Sequence, residues 1–347
     1  MICVHNVPML CVEWEGLGII LQPICEALKI QLNRPNLVCH LGAAARKIRT
    51  EISSIVKGKL VSLKIDSATR LGRHILGVNI QLYDVEQKDI AIYTIGMVEL
   101  NTRHTGKYVK TKILEILAMY KIFLTQIFTV TCENGVNMIA TVNQLRSELQ
   151  ESYDHPEDDD TFVVPIEQVD WMETVEKEFC LTITLVRCAV HTMQLSVADV
   201  IRPFDAEIRK CTSVSNNCRK IAYKSVFKDE SLPPLYSKTR WGGVFEMLNY
   251  FNKHEKLFNE LGLQHSELDL TEQWQFIKEY IAAFEPVYIA TKKMQAKHTP
   301  LNEFYLTWMT TVIKINAIQE NRFTQALTQA LKKRLEILKE NIVFKAA

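Results

Sequence analysis

Alternation of apolar and polar residues over positions 61–66 is the feature that most constrains the fold. The inward-facing set is Val61, Leu63 and Ile65, and the outward-facing set is Ser62, Lys64 and Asp66. This period of two predicts a β-strand with one buried face, ending on a carboxylate. Two further β-rich runs follow at 74–82 and 90–98, joined by a polar turn at 84–89. Three short strands with tight connections predict an antiparallel meander.

After the meander, helical and strand-like segments alternate. Apolar residues recur at helical spacing over 105–120 and 137–149, and a short apolar strand at 127–131 lies between them. A last strand is predicted at 181–186, followed by a helix at 189–201. The order β-β-β-α-β-α-β-α is the topology of RNase H-like domains, in which the fourth strand pairs in parallel with the first.

The segments on either side of this α/β core are predicted to be helical. Residues 1–58 form a mostly helical N-terminal segment, residues 59–203 the RNase H-like core, and residues 204–347 an all-helical region. Within the last region the pattern predicts five helices, at 204–224, 243–261, 271–296, 300–319 and 322–341. The acidic stretch 148–160 is predicted to be a solvated loop.

Composition bounds the class of protein and its partners. The formal net charge is +1, which argues against a large nucleic-acid footprint because strong DNA binders carry a basic excess. Nine cysteines without a Cys-x-x-Cys pair indicate a reducing compartment. No apolar run has the length of about 18 residues that a membrane span needs, so no membrane partner is expected. The basic run 332–334 is interpreted as a solvated helix face, with a nuclear localisation signal as the alternative.

Two carboxylates are predicted to meet at one edge of the sheet. Asp66 ends the first strand and Glu133 follows the fourth, and active sites in α/β sheets collect at the carboxyl ends of adjacent parallel strands. A pair of facing carboxylates suits Mg²⁺ or Mn²⁺, and two such metals about 4 Å apart can activate a water and stabilise a leaving phosphodiester oxygen. The alternative is structural: Asp66 as a cap or turn residue and Glu133 as an exposed loop acid.

Five strings, in order along the chain, resemble motifs of the hAT family of DNA transposases. They are Ser62–Thr69, His104–Gly106, Thr131–Met138, Arg187–Leu195 and Thr239–Trp241. The first resembles the family's first catalytic Asp motif, the second its His-Thr-Ala/Gly helix start, and the third its Thr-Asp-Asn-Gly-x-Asn-Met motif. The fourth is similar to its Cys-x-x-His motif and the fifth to its Arg-Trp motif.

The resemblance implies a degenerate metal site. Asp66 would be the first metal carboxylate, and position 133 the second, although Glu133 stands where the family has Asp. Residues 265–340 resemble the first part of the family's helical insertion. The family's third acid, its BED-type zinc finger and its C-terminal dimerisation segment are expected to be absent from a chain that ends at Ala347. A transposase-derived protein without strand-transfer activity is therefore expected.

Two other functional classes remain open. In the first, the chain is an active metal-dependent transposase or nuclease whose third acid comes from a partner chain or from Glu279 or Glu285. In the second, it is a protein-interaction scaffold with no role on nucleic acid, which the near-neutral charge favours. The expected partners are weakly bound DNA, further copies of the chain or other proteins, in the nucleus or alternatively in the cytoplasm.

Cys188 and His191 raise the question of zinc. A tetrahedral zinc site needs further ligands, for which Cys180 and Cys211 are the candidates. The alternative is a small buried Cys and a His that bonds within the core, and the resemblance places both residues near the active site. We predict that the pair lies at a strand-to-helix junction without zinc.

Arg240 and Trp241 are candidate DNA contacts. The indole could stack on an unpaired base and the guanidinium could bind phosphate, whereas the structural alternative makes Trp241 a core or helix-start residue. We further predict carboxyl carbons of Asp66 and Glu133 within about 4–8 Å. DNA binding is expected to be weak, with a shallow salt dependence, and no metal-dependent cleavage is expected.

Overall fold

The computed structural model shows a mixed α/β protein. It describes residues 7–154, 183–223, 226–227, 231–235, 241–295, 301–341 and 343. The strands are β1 (Val61–Arg70), β2 (Arg73–Asp84), β3 (Asp89–Glu99), β4 (Ile127–Cys132) and β5 (Thr184–Arg187). They form one mixed sheet in the order β3-β2-β1-β4-β5.

Helices lie before, between and after the strands. The described α-helices are α1 (Glu15–Ala27), α2 (Arg34–Val56), α3 (Gly106–Met119), α4 (Val136–Asp154), α5 (Ala189–Ile201), α6 (Asp205–Asn217), α7 (Trp241–Lys253), α8 (Glu255–Gln264), α9 (Trp274–Met294), α10 (Leu301–Asn316) and α11 (Thr324–Lys339). No helix in the described part of the chain has the length and apolar character needed to cross a membrane.

The predicted meander is confirmed. β1 pairs antiparallel with β2 from Ser62↔Gln81 to Arg70↔Arg73, and β2 pairs antiparallel with β3 with an irregularity between Val78 and Asn79. The alternation in β1 has the expected outcome, since its inward-facing residues are buried and Asp66 is exposed. The prediction that Asp66 ends this strand is wrong, because β1 continues through Thr69 and Arg70, which pair with His74 and Arg73 of the hairpin. β4 is the neighbour of β1 in the sheet, as the predicted topology requires.

The chain divides into two compact units. The first comprises Met1–Val130 and Ala140–Ile183, and the second comprises Thr131–Ile139 and Thr184–Ala347. In the first unit, α3 packs closely on the sheet. A Cβ added to Gly96 of β3 would lie only 2.6 Å from the side chain of Ile116 on α3. The second unit has an aromatic core whose largest fully buried members are Trp308, Tyr280, Phe251, Phe258, Phe284 and Phe323.

Several predicted boundaries are wrong. Helix α4 continues to Asp154, so residues 148–154 are helical rather than a loop, and the rest of the acidic stretch lies outside the described residues. The predicted helix 243–261 is two helices. The chain turns at His254, whose ring stacks on Tyr250 and whose Nδ1 lies 2.8 Å from the carbonyl oxygen of Tyr250.

Candidate functional site

Asp66 stands on an open part of the sheet. It lies on the outward face of β1, is exposed, and is paired across the ladder with Gly77 of β2. Because Gly77 has no side chain, nothing on β2 screens the carboxylate directly opposite. On the other side of Gly77, its partner on β3 is Met97, which is 72% exposed. The first predicted acid is therefore accessible to a metal ion or a nucleic-acid phosphate from solvent.

Glu133 lies in the second unit and faces an imidazole. It follows β4 directly, and its Oε1 lies 3.9 Å from Nδ1 of His191. His191 is in the first turn of α5, and Cys188 is the residue that precedes this helix. The backbone N–H of Cys188 donates a 2.8 Å hydrogen bond to the carbonyl of Cys132. The Cys-x-x-His pair thus lies at the junction between β5 and α5, with His191 beside Glu133.

A hydrogen-bond network holds the loop after β4 against α5. The Asn134 amide donates to the Thr192 hydroxyl at 3.1 Å, and that hydroxyl donates to the carbonyl of Cys188 at 2.9 Å. Thr192 is buried, so the network fixes the position of the residue beside Glu133. The buried Oδ1 of Asn134 has no hydrogen-bond partner within the described residues.

The Cys132 thiol at the end of β4 is neutral at neutral pH. Burial, and to a smaller degree the neighbouring Cys188, raises the pKa of the Cys132 thiol to about 11. Since the thiolate is the form that binds metals and attacks electrophiles, Cys132 is an unreactive packing residue at neutral pH. Cys132 ends β4 as a small, buried apolar group.

Among the described residues, Cys188, His191 and Cys211 do not form a group of three metal ligands. Cys211 lies on α6 with no exposed surface, and burial raises the pKa of its thiol to about 12. Cys180 lies outside the described residues. Over the described part of the chain, no three His, Cys, Asp or Glu side chains are arranged to hold a metal ion. The absence of zinc at Cys188 and His191 stays a prediction.

Trp241 is packed as a core residue. It begins α7, is 7% exposed, and meets the ring of Tyr288 edge-on at 6.2 Å between centroids. Stacking on a base requires an exposed ring face, which this side chain does not offer in the described structure. Arg240 lies outside the described residues, and its contact with phosphate stays a prediction.

The alternative acids have different surroundings. Glu279 on α9 forms an ion pair with Arg322 and also accepts from Gln275. The hydrogen bond from Arg322 is the main cause that holds the pKa of Glu279 below its usual range. Glu285 is exposed on the same helix. Glu279 is thus a structural ion-pair residue.

The basic run at the chain's end is only partly solvated. Lys332 and Lys333 are exposed on α11, whereas Arg334 donates a 2.5 Å hydrogen bond to Asp199 of α5. This ion pair ties two helices of the second unit. Lys332 and Lys333 are therefore the two residues of this run that could serve in a nuclear localisation signal.

Sequence reasoning missed three residues of the site: Gly77, Asn134 and Thr192. Gly77 interrupts a strand, which is a recognised sign of an open or closely approached backbone position. Asn134 and Thr192 lie within motif strings already singled out. Their hydrogen bond joins positions 58 apart in sequence, and no local pattern predicts such a pairing.

Comparison with known proteins does not assign the chain. A search of protein-family models and of curated proteins finds no match.

Proposed function

We propose that the chain is a transposase-derived protein of the hAT type, with an RNase H-like core and a degenerate carboxylate site. One observation carries this proposal. Asp66 lies on β1, Glu133 follows β4, and the two strands are neighbours in the order β3-β2-β1-β4-β5. The order of these strands agrees with the expected topology, although Asp66 lies within β1 and not at its end. The ordered motifs resemble those of the family and support the proposal.

A divalent cation is the cofactor that this acid pair fits. Carboxylate oxygens are hard ligands that suit Mg²⁺ or Mn²⁺, and the exposed Asp66 leaves room for the waters that Mg²⁺ retains. Asp66 and Glu133 would hold the ion, which would supply an activated water. Two carboxylates suit one hydrated ion better than a two-metal centre, which usually needs a third acid.

The identity of residue 133 is the reason to expect no strand transfer. The side chain of Glu133 is one methylene longer than the Asp of the family motif. Errors of about 1 Å in the position of a catalytic group can cost about 10²-fold in rate. In addition, Glu133 faces His191 at 3.9 Å, and a protonated imidazole would compete with a metal ion for the carboxylate.

DNA binding is proposed to be weak and electrostatic. The net charge of +1 allows few phosphates to be neutralised, and the salt dependence of binding scales with that number. The burial of Trp241 removes one aromatic platform for an unpaired base. A nuclear location is proposed with this DNA role.

Manganese binding tests the site. Titration of the purified chain with Mn²⁺, followed by electron paramagnetic resonance, should show a weakly bound ion that Asp66→Asn removes. The variant Glu260→Gln is the matched control, because it removes an exposed acid from α8, outside every candidate site, and should leave binding unchanged. Binding that survives Asp66→Asn would contradict the assignment of this residue as a ligand.

Cleavage and DNA-binding assays separate the alternatives. Incubation with Mg²⁺ or Mn²⁺ and supercoiled or hairpin-ended DNA should give no cleavage above the buffer control. Cleavage that disappears in Asp66→Ala would instead establish an active nuclease or transposase. Fluorescence anisotropy across a salt series should give weak binding with a shallow slope. Tight, sequence-specific binding would refute the weak-binding proposal, and no binding even at low salt would favour a protein-interaction scaffold.

A further inference from the structure

Two turns of the first unit are joined by the side chain of Gln126. Its amide donates to the carbonyl oxygens of Val56 and Lys59 at 2.9 and 3.1 Å, and its Oε1 accepts the backbone N–H of Phe123 at 3.1 Å. The turn that contains Lys59 leads into β1, and the turn that contains Phe123 leads into β4. The beginnings of these two strands therefore lie side by side at one edge of the sheet.

Three lysines stand on these two turns. Lys57 and Lys59 belong to the first turn, and Lys121 lies just before the second. All three are exposed, and none has an ion-pair partner in the part of the chain that the structure describes. The sequence has no acid at 52–65 or at 116–132. The three ammonium groups are therefore not neutralised by their own segments.

The acids in the neighbouring elements interact elsewhere. Glu51 on α2 lies 4.0 Å from Lys47, and Glu115 on α3 lies 2.7 Å from Lys112. On β2, the neighbour of β1, the carboxylate of Asp84 accepts two backbone N–H groups of its own turn. The two turns therefore form a locally positive surface on a chain whose net charge is only +1.

An exposed aromatic ring lies among these lysines. Phe123 is 69% exposed, and it is the only phenylalanine with an exposed side chain among the described residues. Its backbone is fixed on both sides, because its carbonyl also accepts the backbone N–H of Gln126 at 3.0 Å. A phenyl ring has no polar group to bond water, and a ring held in this way presents a face on which a nucleic-acid base can stack. Trp241, the aromatic residue predicted for this role, is buried instead.

We infer that a basic aromatic patch, defined as Lys57, Lys59, Lys121 and Phe123, binds single-stranded DNA. The three ammonium groups lie against successive phosphates, for which lysine acts as a point charge, and an unpaired base stacks on the ring of Phe123. The inference rests on the proposed DNA role and adds both the site and the form of the DNA. Three phosphate contacts also agree with weak binding and a shallow salt dependence.

The patch is separate from the proposed carboxylate site. Asp66 lies seven residues beyond Lys59, and an extended chain rises about 3.3 Å per residue, so the two positions are roughly 20 Å apart. Stacking on Phe123 requires an unpaired base, which a duplex does not offer. An acidic protein segment would use the lysines but gains nothing from an aromatic face. These differences make single-stranded DNA the occupant that fits the whole patch.

Fluorescence anisotropy of a short labelled oligothymidylate, titrated with the full chain, tests the inference. The wild-type chain should bind in the micromolar range at low salt. Phe123→Ala should weaken binding about tenfold through the loss of one stacked base. Phe123→Leu should weaken it as much although it keeps an apolar side chain, whereas Phe123→Trp should retain binding.

A lysine variant tests the phosphate contacts. The combination of Lys57→Gln, Lys59→Gln and Lys121→Gly should lower the salt slope by about 2, because each phosphate contact with a single strand contributes about 0.7. Glycine suits position 121, where φ is 55°. The matched control combines Lys253→Gln, Lys256→Gln and Lys314→Gln, which removes three exposed lysines from the second unit and should leave the slope unchanged. Circular dichroism and urea midpoints should show that every variant is folded.

The possible outcomes separate this inference from the proposed function. Single-strand binding that the phenylalanine and lysine variants leave unchanged would overturn the patch and leave the DNA role intact. A duplex of the same length bound as tightly as the single strand would also overturn the inference. No binding to either form would overturn both the patch and the DNA role, whereas manganese binding at Asp66 is measured independently. Equal competition by polyglutamate of similar charge would overturn the inference in favour of an acidic protein segment.

Discussion

Gly96 is the position at which the packing of α3 on the sheet can be tested most directly. A methyl group on this residue would lie 2.6 Å from Cδ1 of Ile116 and 3.1 Å from its Cγ1 and Cγ2. Ordinary carbon contacts are about 3.5–4.0 Å, so Gly96→Ala overlaps the isoleucine by about 1 Å. Ile116 is 1% exposed, and its end can move only by displacing other core atoms.

We expect Gly96→Ala to lower the free energy of unfolding by about 1–3 kcal/mol, the usual cost of overpacking a core. The gain of about 0.5–1 kcal/mol from replacing a strand glycine reduces this cost without cancelling it. The midpoint of thermal unfolding should fall by about 2–4 °C per kcal/mol for a unit of this size. Urea denaturation followed by circular dichroism measures the change.

A double-mutant cycle assigns the cost to its cause. Ile116→Val removes Cδ1, the closest atom, and should cost about 0.5–1.5 kcal/mol alone. In that background Gly96→Ala should cost less, with a coupling of about 1 kcal/mol. Gly77→Ala on the neighbouring strand is the matched control, because its nearest contact would be an ordinary 3.8 Å. Equal stability of the Gly96→Ala and Gly77→Ala variants, or strict additivity in the cycle, would refute the packing argument.

Three further predictions concern a turn, an ion pair and a thiol. Leu71→Gly should raise the urea midpoint of unfolding slightly. Leu71 is 93% exposed and has a φ of 51° beside Gly72 in the β1–β2 turn, a conformation that costs a non-glycine residue about 1–2 kcal/mol. A lower midpoint would contradict this expectation. Arg322 lowers the pKa of the Glu279 carboxyl, so this ion pair stabilises the wild-type chain at neutral pH and ceases to do so as the pH falls below about 4.5. Glu279→Gln should remove this stabilisation. The urea midpoints of wild type and variant should therefore differ at pH 7 and converge towards pH 3. Cys211 should resist alkylation by iodoacetamide at neutral pH. Because the pKa of its thiol is raised to about 12 in the folded chain, the free energy of unfolding should fall as the pH rises above the thiol's pKa of about 9 in the unfolded chain. Cys211→Ala should reduce this dependence on pH in alkaline urea titrations.

The meander was predictable because its signals are local. The alternation in β1 and the polar turn at 84–89 reflect a period of two and tight connections, which need no knowledge of distant residues. The pairing that the structure shows, from Ser62↔Gln81 to Arg70↔Arg73, follows from this pattern. Each inward residue of β1 then lies opposite an inward residue of β2.

Interactions between distant residues were not predictable in the same way. At the turn at His254, the imidazole lies within hydrogen-bond distance of the Tyr250 carbonyl in the preceding helix. The helical spacing of apolar residues does not predict this contact or the turn. The contact between Glu133 and His191 and the bond between Asn134 and Thr192 depend on where α5 begins in space. Motif order suggested that these strings belong together, but which atoms meet depends on tertiary packing.

The two faces of β1 have different roles, and under the proposed function this would let the fold persist after the loss of metal chemistry. Leu63 and Ile65 point inward and are fully or almost fully buried, so the sheet depends on them for stability. Asp66 points outward and is exposed, and a surface substitution of this kind usually changes stability by less than about 0.5 kcal/mol. Glu133 likewise is partly exposed in a loop held by neighbouring residues. If the two acids hold a metal ion as proposed, a change at either one would abolish metal chemistry while leaving the core intact, which is the condition under which a catalytic domain becomes a binding module.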